Sequence, residues 1–264
     1  MLKRITSIAF LWMLTLISSA HEFWLEPKKF RYAIGEGMKM DFRVGENFEG
    51  EFWDLTRHRV ERMEIYSSSG QSNALPDVRK TAGNNLQYKF ETGGTYLAVM
   101  QSNDAYIEME AGKFNAYLEE DGLDYVAAAR KKANTSDKPS KENYTRYAKL
   151  LVQAGPKTDD TFKKVTGLRV EIIPDKNPYD LKPGDYLQCR ILFEGKPSPH
   201  TLVKIWNRLN RTTFMQNSYT EDDGTVKFPI STKGGWMVST VIMIPNESPG
   251  AEWHSLWGSL VFGI

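Results

Sequence analysis

Cysteine is almost absent from this sequence. The 264-residue chain has one, Cys189, so no disulfide can form within it even in an oxidising compartment. A protein of this size without crosslinks must rely on its apolar core. An excess of one charge is missing as well. Thirty-four Lys and Arg stand against 33 Asp and Glu, a formal net charge of +1. That removes the general electrostatic reason to bind nucleic acid or an acidic membrane. No apolar run approaches the roughly 20 residues that a membrane-spanning helix needs. Familiar catalytic signatures are missing too: there is no Gly-x-Ser-x-Gly elbow, Walker loop, Rossmann fingerprint or paired-cysteine zinc motif. Asp222-Asp223-Gly224 resembles the opening of a calcium loop, but the twelfth position is Lys233 rather than Glu, so a hairpin turn is the expectation.

The N-terminus has the three parts of an export signal. Lys3 and Arg4 give a basic start, Ile8 to Ile17 is almost continuously apolar, and Ser18-Ser19-Ala20 supplies small residues for cleavage. Cleavage after Ala20 is expected, giving a mature chain of residues 21–264 with no membrane insertion. Losing two basic residues brings that chain to a formal charge of −1.

The mature chain reads as mainly β: two β-sandwich domains, Ig-like or transthyretin-like, with a two-helix segment between them. The N-terminal β domain is expected over 21–112, from Glu22–Leu25, Met38–Val44, Arg62–Ser67, Leu86–Glu91, Tyr96–Gln101 and Ala105–Glu110. Gly35-Glu36-Gly37 and Gly93-Gly94 mark turns. Over 113–166 a helical insert is expected. Phe114, Tyr117, Leu118, Leu123 and Val126 recur at helical spacing, and Tyr144, Tyr147, Ala148 and Leu151 repeat it across a polar loop at 135–141. The C-terminal sandwich is expected over 167–264, from Asp185–Phe193, Leu202–Asn207, Thr225–Ile230, Gly235–Ile244 and Ser259–Phe262. Alternation in Leu187-Gln188-Cys189-Arg190-Ile191 makes Cys189 a small buried hydrophobe.

Cleavage after Ala20 would make His21 the first residue. Its α-amine and its imidazole, with reference pKa values near 7.7–8.0 and 6.5, can then close a six-membered chelate ring through nitrogen ligands that suit Ni, Co, Cu or Zn. Position three is Phe23, which excludes the square-planar arrangement built on a third-position histidine. Further ligands must come from elsewhere. The candidates are His58 in a basic turn, His200 after Pro197-Ser198-Pro199, and His254 beside Trp253. None has a spacing that fixes a site by itself.

Several segments carry a resemblance in combination: AHEFWLEP after the signal, FNAYLEEDGL, ENYTRYAKLLVQAG, EIIPDKNPYDLKPGDYL, LFEGKPSP, TEDDGTVKFPI, GGWMV and EWHSLWGSLVFG. The chain resembles, over essentially its whole mature length, periplasmic proteins labelled as components of nickel or cobalt uptake systems. The resemblance implies a periplasmic, Gram-negative, non-enzymatic protein that binds a transition metal ion (Ni, Co or Cu) and works with an inner-membrane metal transporter. In that family a histidine follows the Gly-Trp motif, where this chain has Ile242, which cannot bind a metal, beside Met243, which can bind Cu(I). Two other readings compete: a metal-free sandwich module that binds protein or carbohydrate, and a copper histidine-brace oxygenase.

Overall fold

The computed structural model describes residues 22–264; His21 and the signal lie outside them. In chain order the first half forms β1 (Glu22–Pro27), β2 (Arg31–Tyr32), β3 (Gly37–Glu46), β4 (Glu49–Phe52), β5 (Val60–Ser67), β6 (Gly70–Asn73), β7 (Leu86–Lys89), β8 (Gly94–Ser102) and β9 (Ala105–Met109). Helices α1 (Ala111–Glu120) and α2 (Asp124–Lys132) follow, and then the long strand β10 (Ser140–Ala154). The second half forms β11 (Val170–Pro174), β12 (Tyr186–Phe193), β13 (Lys196–Pro197), β14 (Leu202–Leu209), β15 (Thr212–Tyr219), β16 (Thr225–Pro229), β17 (Gly235–Pro245) and β18 (Trp253–Gly263). The described residues are mainly β, with sandwich packing and two α-helices, as the alternation and turn signals imply.

The strands form three sheets. A ten-stranded sheet runs β15-β14-β17-β18-β10-β8-β5-β6, with β2 and β9 also paired to β10. It joins two antiparallel blocks, one from each half of the chain, through the parallel pairing of β10 with β18 from Glu142↔Trp253 to Leu150↔Val261. Side-chain alternation divides this sheet between two cores. Met63, Ala98, Leu150, Trp206, Met237 and Val261 face the core shared with β1 and β3. Leu97, Leu151, Ile205, Val238 and Leu260 face the core shared with β11, β12 and β16. Two sandwiches therefore share their middle layer. The boundary drawn at 112 falls in the first turn of α1 and the one at 167 in the connection before β11, while the central sheet continues across both.

The helices depart from the expected pattern. Both lie before the polar loop, and the 142–153 segment expected as the second helix is strand β10. Its position explains the misreading. With a core on each face, nearly every residue from Thr145 to Ala154 is buried, so the period-2 contrast that identifies a half-exposed strand is lost. Even Lys149 and Gln153 are buried, at 1% exposure each. The apolar stretch from Phe114 to Val126 is interrupted at Gly122, which has φ +63° and comes so close to Leu202 that a Cβ would sit 2.8 Å from its side chain. Phe114, Tyr117, Leu118, Leu123 and Val126 then pack with Val241, Met243 and Trp257 as a third cluster. Residues 241, 243 and 257 share a face with Met237 and Val261, so the helices and the first sheet cover the same side of the central sheet, end to end.

Asp222-Asp223-Gly224 is a turn, closed by Gly224 N–H donating to the Glu221 carbonyl at 2.9 Å. Cys189 is fully buried, and burial pushes its thiol pKa up. Among the described residues no helix is long and apolar enough to cross a membrane.

Candidate functional site

Where the helix pair meets the first sheet, the apolar covering of the central sheet is interrupted by charge. β1 begins here, with Glu22 5% exposed. Glu22 accepts from Lys204 Nζ at 3.3 Å, and the same ammonium lies 2.8 Å from Asp121 and 3.7 Å from Glu120 at the rim. Lys204 stands on β14 between Val203 and Ile205, projecting to the β1 side by strand alternation. Asp121 is the residue that ends α1. A cavity of about 10 Å³, room for about one water, lies among Glu22, Asp121, Lys204, Ser239 and Trp257.

A second polar group lies on the same face. Glu142 of β10 accepts a short hydrogen bond from the Ser255 hydroxyl and a longer one, 3.5 Å, from Tyr117. The Trp257 indole donates to Ser255 at 2.9 Å and stacks on Tyr117 with ring centroids 5.8 Å apart. The other carboxylate oxygen of Glu142 is buried with no hydrogen-bond partner among the described residues. Arg146, four residues along β10, lies under the rings of Phe23 and Tyr144, at 5.5 Å and 5.3 Å.

Burial decides the electrostatics. It is the largest influence on Glu142, raising its pKa to about 7, and on Asp121, which is likewise raised to about 7 although Lys204 pulls the other way. Glu22 is raised for the same reason. One ammonium cannot fully compensate two buried carboxylates plus Glu120, so Lys204 itself is held firmly charged while its partners keep an elevated proton affinity. Burial lowers the pKa of Arg146. The joint therefore combines a firmly charged ammonium with buried carboxyl groups of raised proton affinity.

The three described histidines occupy three separate places. His58 stacks on Trp53 with centroids 5.0 Å apart and planes 11° apart, and lies 6.2 Å from Tyr144. Trp53 in turn is 5.0 Å from Phe23. His58 thus sits on the face of the central sheet that carries β1 and Arg146. Its pKa is lowered by burial and then by the Arg146 charge. His254 is on the opposite face, because it meets Thr145, whose side chain points away from that of Tyr144. The Thr145 hydroxyl donates to Asp104 at 2.5 Å and lies 2.7 Å from His254 Nε2. With that proton committed, the imidazole must donate. His200 is exposed, with φ +52°, and its Nε2 lies 3.2 Å from Asp222, itself 95% exposed.

The structure therefore does not gather His58, His200 and His254 around one point. Among the described residues no group of three or more His, Cys, Asp or Glu could hold a metal ion. Ile242 is buried in the second core, facing away from β1. Sequence reasoning missed Asp121, Glu142, Arg146 and Lys204. The available signal was a polar residue inside an apolar strand, most visible for Lys204 in Leu202-Val203-Lys204-Ile205-Trp206.

No curated protein matches this chain. Among solved structures it has a likeness to the D0-D1 domain of intimin, at 12% identity over 90% of this chain and 96% of that chain, with a TM-score of 0.21. Residues 18–244 match the model of a family described as a domain of unknown function, DUF4198, and the chain belongs to that family.

Proposed function

We propose that this protein is an exported, periplasmic transition-metal-binding protein. In this reading the α-amine and imidazole of His21 hold nickel, cobalt or copper, and His58 adds a third nitrogen. The observation that carries it is the placement of β1. Glu22, one peptide bond from His21, is buried at the polar joint, and consecutive Cα atoms are only about 3.8 Å apart. Of the three described histidines, His58 alone shares that face. Its lowered pKa leaves the imidazole neutral at pH 7, the state a metal ligand requires, and three nitrogens of this kind suit borderline ions. The ion is cargo in this reading, passed on to an inner-membrane transporter, and the chain carries out no catalytic step.

The test is intact mass of the exported protein, followed by native titration with Ni, Co, Cu and Zn. A mass fitting residues 21–264 with one retained ion is expected. His21→Ala should abolish retention, His58→Ala should weaken it about tenfold or more, by about 1.4 kcal/mol or more, and His200→Ala and His254→Ala should leave it unchanged. A different first residue, or no ion retained by the wild-type chain, overturns the reading.

A further inference from the structure

We propose that the free edge of β15 is a homodimer interface, on which a second copy of this chain pairs its own β15 antiparallel. β15 is the last strand of the central sheet; β14 pairs with it on one side and no other described strand pairs with it. Leu209 and Thr212 close a two-residue turn, which makes them a hydrogen-bonded pair. The even-numbered residues of β15 therefore bond to β14. The backbone groups of Thr213, Met215, Asn217 and Tyr219 point outward.

An edge of this kind is normally protected by charge, proline, a bulge or shortness. Thr212-Thr213-Phe214-Met215-Gln216-Asn217-Ser218-Tyr219 has eight residues and no Lys, Arg, Asp, Glu, Pro or Gly. It also exposes large apolar side chains: Phe214 is 62% exposed, Met215 46% and Tyr219 53%.

The flanking charges choose the occupant. In antiparallel pairing an outward-facing residue must oppose another outward-facing residue. A twofold axis at Gln216 satisfies that along the whole strand, setting Met215 against Asn217 and Thr213 against Tyr219. The same register brings Arg211, at the hairpin tip, opposite Glu221 of the other copy, and symmetry repeats the pair. Both residues are exposed. An isologous contact needs a surface that complements itself, and this edge has a neutral centre with opposite charges at its ends.

Sedimentation of the mature wild-type protein over a concentration series tests the proposal, with hydrogen exchange read at Thr213, Met215, Asn217 and Tyr219. A concentration-dependent dimer is expected, with those four amides protected only as it forms. Asn217→Pro removes an outward N–H that the monomer does not use, and should leave a folded monomer. Arg211→Glu and Glu221→Arg should each weaken association about tenfold, through two like-charge contacts, and the double reversal should restore it. A wild-type protein that stays monomeric overturns the proposal. So does a dimer indifferent to the charge reversals, whether or not Asn217→Pro folds.

Discussion

Glu142 has one oxygen bound by two hydroxyls and the other without a partner among the described residues, so its charge is poorly supported where it stands. With a folded pKa of about 7 against an ordinary 4.5, the folded state holds this proton more tightly than the unfolded chain. The stability it contributes is fully present below pH 4.5 and is lost as pH rises through about 7. The loss is on the order of 3 kcal/mol for this group. Glu142→Gln keeps an acceptor for Ser255 and cannot ionise. Urea unfolding at pH 5 and pH 8 should therefore show a smaller decline for the variant than for wild type, and higher stability than wild type at pH 8. Equal declines would mean that Glu142 ionises without cost. At the nearby ion cluster, Lys204→Met should leave Glu22 and Asp121 buried without a cation. A loss of about 3 kcal/mol or more is expected in the same assay at pH 8, shrinking toward pH 5 as the carboxyls take up protons.

At the level of elements, β10 carries the most. It pairs in parallel with β18 and antiparallel with β8, and its two faces serve two cores. Its buried Lys149 pairs with Glu171 of β11 at 2.9 Å and also donates to the Ile172 carbonyl at 3.1 Å. Glu171 has other donors, accepting from Thr166 N–H at 2.7 Å and Gly167 N–H at 3.1 Å. The two partners should respond unequally to truncation. Glu171→Leu leaves a buried ammonium with carbonyls alone and should cost about 3–5 kcal/mol. Lys149→Met leaves a carboxylate still held by loop amides and should cost less. Thermal melts of both variants would show the asymmetry. This pair also shows why β10 was hard to read: a lysine and a glutamine on a fully buried strand mimic the polar face of a helix, and only the partner strand reveals that the lysine is neutralised.

For the whole molecule, the decisive feature is the shared central sheet. β10 from the first half and β18 from the second are neighbours through nine register pairs, so neither half completes its sheet alone. One cooperative thermal transition is expected by calorimetry, and residues 22–166 expressed alone should not give a folded product. Two separated transitions, or a stable fragment, would show that each half is autonomous. The homodimer pairing through β15 would extend this same sheet from one copy into the next.

Local patterns in the sequence determined a good deal: the β class, most strand positions, the turns at Gly35 and Gly224, the burial of Cys189 and the helical face from Phe114 to Val126. Each depends on periodicity or backbone preference within a few residues. Strand β15 was not legible, because its exposed, uncharged residues lack the alternation that marks a half-buried strand. Nor was the joint at Glu22, whose members Asp121, Glu142, Arg146 and Lys204 are far apart in the chain and ordinary in type. Tertiary structure decided that they meet, and that His58, His200 and His254 do not. Burial changes proton affinity and strand pairing sets which face a side chain occupies; both are properties of the assembled sheets, which no short stretch of sequence carries.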